Sequence, residues 1–484
     1  MGASTALFAH RVRDAMQPPP PLVPEHVTCV QLVELMVERA VGAAVVVDSS
    51  RRVRGVVTET DLLHRAAFRL PPDTVLSAVM TTPAETVRDG DHLYLTVARM
   101  RAEGLRTLPV VDRAGAVVGL LTLEAALAVL AAPAVRQIDR LAHDDSIAGL
   151  RAIKTAQADM AAELLAEHVP GSEAQRLLTE VNNGIHRSIV TRELNEMALA
   201  GWGEPPVGFT LIVMGSGGRG ENHLGPDQDN GLILDDYDDA RHGAIDPFFV
   251  EFATRMTRAL DAVGFPYCRG NVMATNPVWR KTLPQWRSQM DHWLRKRNTV
   301  TIRLCDIFFD FQPVYGSTVR AAELRDHIAR RLKDNHAFLG EMYRLTAEHG
   351  IGLDRFGRLA AETTGEHRRE VDLKYGALVP LVETIRLLTL REGLTRTSTL
   401  DRIDDLARVG VLDGDEQDYL AGAYRLIATL LLRRQIADLR DGRPVGTHVA
   451  LDEMTQRERD MLGAGLGAIR RLRDRVKTMF TAAI

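Results

Sequence analysis

Cysteine, lysine and long apolar runs are scarce in this sequence of 484 residues. Cys29, Cys268 and Cys305 stand far apart with no C-x-x-C pair, which excludes a disulfide framework and a zinc site of ordinary spacing and points to a reducing cytoplasm. No segment offers the ~18 uncharged residues that a membrane span needs, and the N-terminal stretch meets Arg11 before any long apolar run, so neither an anchor nor an export leader is expected. A net charge of -4 provides no basic field of the kind that concentrates a protein on nucleic acid or anionic lipid. Only six of the 60 basic residues are lysine, a bias attributed to genome composition and given no functional weight.

Hydrophobic content of 45% and charged content of 26% are those of a folded chain, and single cores stop growing near ~250–300 residues, so several domains are expected. The first is a repeat. "AAVVVDSSRRVRGVVTETDLL" at 43–63 lies over "TLPVVDRAGAVVGLLTLEAAL" at 107–127 without a gap, pairing Asp48 with Asp112, Gly55 with Gly119 and Thr58 with Thr122. Met16/Met80 and Met36/Met100 keep the same offset. Each copy reads as a helical stretch, a β-branched strand ending in Asp, a second strand, and polar residues opening a helix.

These residues resemble a tandem CBS pair, a regulatory module that commonly binds adenine nucleotides such as AMP or ATP. The resemblance implies that Thr and Asp of a G-x-x-T-x-x-D motif hold the ribose. The first copy keeps Gly55, Thr58 and Asp61; the second has Gly119 and Thr122 but Ala125 in place of Asp. The competing role for Thr58 and Asp61 is helix capping.

Residues 137–200 show helical periodicity broken at Pro170-Gly171 and read as a helical hairpin or linker. "FTLIVMG" then begins a strand, and Gly215, Gly217 and Gly220 fall in the G-x-G-x-x-G spacing of a dinucleotide fingerprint. That reading requires a crossover helix, which Gly225-Pro226 and the flanking Asn and Asp residues forbid. The next strand, "GLIL", must instead return antiparallel through a short loop.

A different constellation fits. Gly215-Ser216, ten intervening residues and then Asp227-x-Asp229 match the nucleotidyltransferase superfamily typified by DNA polymerase beta. Alternate residues of an extended chain point the same way, so Asp227 and Asp229 present their carboxylates together, and divalent cations reverse the cost of that repulsion. A two-metal Mg²⁺ site ~3.5–4 Å across serves in-line displacement on an NTP. Gly215, Ser216, Gly218 and neighbouring amides are candidates to cradle its phosphates, with Arg219 as a charge clamp. In "TVTIRLCDIFFDFQPVYG" at 299–316, read as a strand, Ile302, Leu304, Asp306, Phe308 and Asp310 share one face, so Asp306 or Asp310 is the candidate third carboxylate.

With "NVMATNPVWRKTLPQW" and "IFFDFQPVYG", the chain resembles the nucleotidyltransferases of bacterial signal-transduction proteins that carry CBS domains, relatives of the N-terminal domain of protein-PII uridylyltransferase. "DLKYGALVPLVETIRLLTLREG" and "LLLRRQIADLRDGRP" extend the likeness to the C-terminal part. The resemblance implies Asp227, Asp229 and Asp310 as metal ligands, and Asn276, Trp279 and Arg280 near the nucleotide; core packing is the other reading of Trp279. Gly217, Pro226 and Gln312 depart from the family pattern, Gln312 replacing a cationic fork by a neutral amide. No reverse hydrolase is expected, since His143-Asp144 is the sole His-Asp dipeptide and reads as a solvated helix boundary.

The expected architecture is multidomain α+β: a tandem CBS pair at 10–130, a helical linker at 135–200, a polymerase-beta-like nucleotidyltransferase α/β domain with a mixed sheet at 201–330, and a C-terminal helical bundle at 331–484. Arg433, Arg434, Arg470, Arg471 and Arg473 are expected on solvated faces of that bundle, or else docking an acceptor. The expected activity is Mg²⁺-dependent transfer of NMP from an NTP to a protein hydroxyl, with a PII-like signalling protein as acceptor. Adenine nucleotide on the CBS pair would regulate it, and the CBS pair would form a homodimer. The alternative is a nucleotide-sensing scaffold with weak or no turnover. Neither nucleic acid nor membrane is expected as a partner.

Overall fold

The repeat of the first 130 residues reappears as two copies of one β-structure. The computed structural model describes residues 10–481 except 40, 49–51, 63–69, 72, 83, 104, 124, 127–144, 167, 334 and 363–366. Strands β1 (Leu22–Pro24), β2 (Ala43–Val47) and β3 (Val53–Thr58) form one sheet, and β4 (Val87–Arg88), β5 (Thr107–Val111) and β6 (Val117–Thr122) form another in the same order. In both, the first pair is parallel and the second antiparallel, and both bulge at equivalent places, Val46/Val47 and Val110/Val111. Helices α1 (Cys29–Arg39) and α2 (Leu93–Ala102) occupy equivalent positions in the two copies.

The paired glycines and methionines show why the copies act together. A Cβ on Gly55 would stand 2.5 Å from Met80 Sδ, and one on Gly119 would stand 2.8 Å from Met16 Sδ and from the Gln17 carbonyl. Gln17 pairs with Leu120, and Thr81 pairs with Val56. The segment leading into each copy therefore lies on the strand of the other, interlocking the two.

The chain divides into two compact units, up to residue 143 and from 144 onward. His143-Asp144 lies outside the described residues. The second unit begins with α3 (Ile147–Ala166) and α4 (Gly171–Leu199), the expected hairpin broken at Pro170. It does not behave as a linker: Leu150, Ile185 and Ile189 are buried in one core with Phe209 and Leu211.

At the centre of this unit is a mixed sheet in the order β10-β7-β8-β9, comprising β7 (Phe209–Met214), β8 (Asn230–Leu234), β9 (Arg280–Thr282) and β10 (Phe311–Tyr315). β7 and β8 are antiparallel neighbours, as the short loop requires. Along β7 the alternation is legible. Phe209 and Leu211 enter a core with α4 and with Phe248, Phe249 and Phe252 of α6 (His242–Val263); Ile212 and Met214 enter a second core with Trp279, Trp286 and Phe311. A five-residue helical turn, α5 (Gly215–Arg219), intervenes after β7.

The segment expected as one strand at 299–316 is instead α8 (Thr299–Phe308), which follows α7 (Leu283–Lys296), and then β10. Asn298 caps α8, accepting from the Thr301 amide at 2.8 Å. Ile302, Cys305 and Phe308 are buried at helical spacing, so Asp306 and Asp310 do not share a strand face.

Helices α9 (Thr318–Leu332), α10 (His336–Thr346), α11 (Val379–Arg391), α12 (Thr399–Arg408), α13 (Gly414–Arg440) and α14 (Gln456–Thr481) complete the unit, with a two-stranded sheet, β11 (Glu370–Asp372) against β12 (His448–Ala450). Their core is continuous with that of the central sheet. Arg434 and Arg473 are not on solvated faces: Arg434 pairs with Asp438 at 3.0 Å, and Arg473 donates to the Thr346 and His349 carbonyls.

A buried ionic cluster joins the sheet to these helices. The Asp310 side chain is 0% exposed; Oδ2 accepts from Arg219 at 2.8 Å and Arg386 at 2.6 Å, and Oδ1 lies 2.6 Å from Arg402 Nη2. Arg386 also meets Asp306. Glu221 holds Arg219 at 2.7 Å and takes the Thr399 amide, at the start of α12, at 2.6 Å. Burial alone would raise the pKa of Asp310, but Arg402, Arg386 and Arg219 hold it well below the usual carboxylate range.

Removing this one carboxylate leaves buried Arg402 without its ion-pair partner and takes one of two counter-charges from Arg219, which keeps Glu221, and from Arg386, which keeps Asp306. Asp310→Ala is expected to destabilise the second unit by about 3–5 kcal/mol in chemical denaturation. Because the folded pKa is depressed, the stabilisation is complete above the unfolded carboxylate value and is lost as pH falls toward the folded one. Acid unfolding of Asp310→Asn should lack that component of the pH dependence; identical acid-stability curves for Asp310→Asn and wild type would contradict it.

Candidate active site

The glycines after β7 are set by close packing. Gly215 takes φ +60°, and a Cβ there would approach Asp229 Oδ2 to 2.9 Å. A Cβ on Gly218 would fall 1.9 Å from the Asp310 carbonyl oxygen, so only glycine lets α5 lie against the start of β10. The chain then extends to Asp229, whose carbonyl accepts from the Met214 amide at 2.9 Å, and continues as β8.

Asp227 and Asp229 come together at the entry to β8, as their spacing implies. Their carboxylate oxygens and the Cys268 sulfur all lie within 4.8 Å of one another, the group among the described residues whose donors could hold a metal ion. Burial first, and then the charge of Asp227, push the Asp229 carboxyl up to about 7. Burial and the charge of Asp229 push the Cys268 thiol up to about 12. A buried carboxyl and a thiol that both resist ionisation, beside a second carboxylate, are a donor set suited to a divalent cation, which would remove that penalty.

The acids face a recess lined also by Ser216, Gly217 and Asn222 of the glycine turn, by Asn183 and His186 of α4, and by Phe265. Ser216 Oγ donates to Asn222 Oδ1 at 3.2 Å. Burial lowers the His186 pKa to about 4, so its ring is neutral, with Nδ1 2.8 Å from the Asn182 carbonyl. Sequence reasoning missed Asn183, His186 and Cys268. The first two lie in the hairpin read as a linker, and Cys268 has no partner at metal-ligand spacing along the chain.

Other expected site residues are placed differently. Asp310 does not join the acid pair; its oxygens are engaged by three arginines, which corrects its assignment as a third metal ligand. Arg219, expected to clamp phosphate, is held between Glu221 and Asp310. Arg280 is buried against Asp246 at 2.9 Å and the Ala274 carbonyl at 2.7 Å, a structural role. Asn276 caps the turn before β9, accepting from the Val278 amide. Trp279 is wholly buried among Trp286, Trp293 and Phe308, so the core reading holds for it. Gln312 donates to the Gly217 carbonyl at 2.6 Å, bracing the glycine turn.

In the first unit, Thr58 and Asp61 form a capping box, with the Thr58 hydroxyl 2.7 Å from Asp61 Oδ2. Thr122 accepts from the Ala125 amide at 3.1 Å, with no carboxylate in the matching place. No described helix is long and apolar enough to cross a membrane.

Comparison with known proteins bears on most of the chain. The family described as "Putative nucleotidyltransferase DUF294" matches residues 155–300, its "Putative nucleotidyltransferase substrate binding domain" matches 336–480, and the CBS domain matches 12–67 and 76–132. An uncharacterized protein of Methanopyrus kandleri is 29% identical over 21% of this chain and 53% of its own length. A homoserine O-acetyltransferase of Methanocorpusculum labreanum is 30% identical over 23% of each. The chain thus spans about half or less of the length of these relatives. Among solved structures, a CBS domain protein from Pyrobaculum aerophilum complexed with AMP is 28% identical, covering 25% of this chain and 98% of that one, with a TM-score of 0.24. The chain belongs to the CBS-domain-containing nucleotidyltransferase family, combining a CBS pair, a nucleotidyltransferase domain and that family's substrate-binding C-terminal domain.

Proposed function

We propose that the second unit transfers NMP from an NTP to a protein hydroxyl, with a PII-like signalling protein as the acceptor, and that adenine nucleotide on the CBS pair regulates the transfer. The observation that carries this reading is the convergence of Asp227 and Asp229 on a recess whose other wall is the Ser216–Gly217 turn. Asp227 and Asp229 would hold Mg²⁺, which when bound screens the triphosphate and supplies Lewis-acid assistance. Ser216 and the backbone amides of the glycine turn would take phosphate oxygens, and Gln312 braces that turn through the Gly217 carbonyl. Neutral His186 and Asn183 offer hydrogen-bonding groups without adding charge.

A second reading, a nucleotide-sensing scaffold, is favoured by the commitment of Arg219 and Asp310 to internal ion pairs, which leaves the recess short of a clamp and a third acid. Turnover separates the two. Incubation with labelled NTPs, Mg²⁺ and cell extract is expected to label a protein and release pyrophosphate, and Asp227→Ala should reduce the rate by at least about 10²-fold. Nucleotide binding without pyrophosphate release in wild type would establish the scaffold instead. Mg²⁺ and a proton compete for Asp229, so affinity for Mg²⁺ measured by calorimetry should strengthen as pH rises through about 7.

For the first unit, AMP is expected to raise the melting temperature of the full chain by the mass-action term RT ln(1 + [L]/Kd). Asp61→Ala should abolish the shift if Asp61 leaves its cap to take ribose hydroxyls; an undiminished shift would assign Asp61 to capping alone.

A further inference from the structure

Asp229 stands at the centre of a loop-to-strand seam. On one side of it the Gln228 amide donates to the Pro266 carbonyl at 3.0 Å, and on the other the Asn230 amide donates to the Val272 carbonyl at 3.0 Å. The Gln228 side chain also donates to the Thr257 and Phe265 carbonyls, each at 2.9 Å, and the Asn230 side chain accepts from the Ala274 amide at 2.9 Å. The seven residues from Pro266 to Val272 must therefore arch over Asp229 between two fixed ends. Cys268 lies in that arch, closed by a turn in which the Asn271 amide donates to the Cys268 carbonyl at 3.0 Å. These backbone hydrogen bonds fix the arch that carries Cys268, and its sulfur lies within 4.8 Å of a carboxylate oxygen of each of Asp227 and Asp229.

We propose that Cys268 is a third protein donor of the cation site, and that its sulfur makes the Asp227–Asp229 pair prefer a thiophilic divalent ion, Co²⁺ or Zn²⁺, over Mg²⁺. This deepens, and rests on, the reading of the acid pair as a cation site. Two carboxylates alone suit hard cations, whereas a sulfur donor at the same point favours softer ones and adds little for Mg²⁺, which takes oxygen ligands. The other two cysteines offer no competing site: Cys29 and Cys305 are buried in apolar cores. On binding, the thiol proton passes to solvent and the thiolate enters the coordination shell.

The test is Co²⁺ titration of the chelator-treated full chain, read by the sulfur-to-cobalt charge-transfer absorption in the near ultraviolet, with Mg²⁺ and Co²⁺ affinities measured in parallel by calorimetry. Wild type should show the band; Cys268→Ser should lose it, with Co²⁺ affinity falling about 10–100-fold and Mg²⁺ affinity changing less than about twofold. A wild type that binds both ions without the band, or a band that survives Cys268→Ser, overturns the sulfur ligand while leaving the acid pair as the cation site. Failure of wild type to bind either ion overturns both readings.

Discussion

A carboxylate removed from water remains ionised only where fixed positive charge replaces its hydration, and the second unit is organised around one such group. Asp310 lies at the junction of α8 and β10, and its counter-charges come from three separate elements: Arg219 from the glycine turn, Arg386 from α11 and Arg402 from α12. Each arginine is itself too buried to stand without an acid, so Glu221 and Asp306 enter the cluster as well. The arrangement fixes the orientation of the C-terminal helices on the sheet, because hydrophobic burial is non-directional and ion pairs are not. It also holds the glycine turn, since Arg219 ends α5 and the Gly218 backbone rests on the Asp310 carbonyl.

Much of the frame was legible. The constant offset between the two halves of the first 130 residues translated directly into equal strand order and equal bulges, because a gapless repeat leaves no other way to form two sheets. Gly225-Pro226 excluded a crossover helix, and β7 and β8 are antiparallel neighbours for that reason. The x-D-x-D alternation placed Asp227 and Asp229 toward the recess, with Gln228 and Asn230 turned into the protein.

What was not legible depends on long-range contacts or on ambiguous periodicity. Over 299–310, β-branched and aromatic residues satisfy a period of two, yet Ile302, Cys305 and Phe308 also satisfy a helix, and the Asn298 cap decides for the helix. The arginines that claim Asp310 lie 91 and 76 residues from it at Arg219 and Arg386, a separation that no spacing rule reaches. The hairpin read as a linker because its inner face is partly polar: Gln157, Asn182, Asn183 and His186 are all buried, and Gln157 donates to Asn182 at 2.8 Å. Those residues are inside because they satisfy one another or face the recess, which a hydrophobic periodicity cannot register.

The two acidic centres of this unit solve the same electrostatic problem in opposite ways. At Asp310 the chain supplies the compensating charge itself, in excess, and the carboxyl is held strongly acidic. At Asp229 it supplies another carboxylate instead, with a thiol alongside, and burial together with the Asp227 charge pushes the carboxyl up to about 7. The glycine turn separates these environments: Arg219, the cation closest in sequence to the acid pair's loop, faces Glu221 and Asp310. Were Arg219 free to swing toward Asp229, it would neutralise the pair and remove its demand for a cation. By sequestering that guanidinium, the buried cluster keeps the recess anionic, so the stability of the fold and the chemistry of the site rest on the same ion pairs.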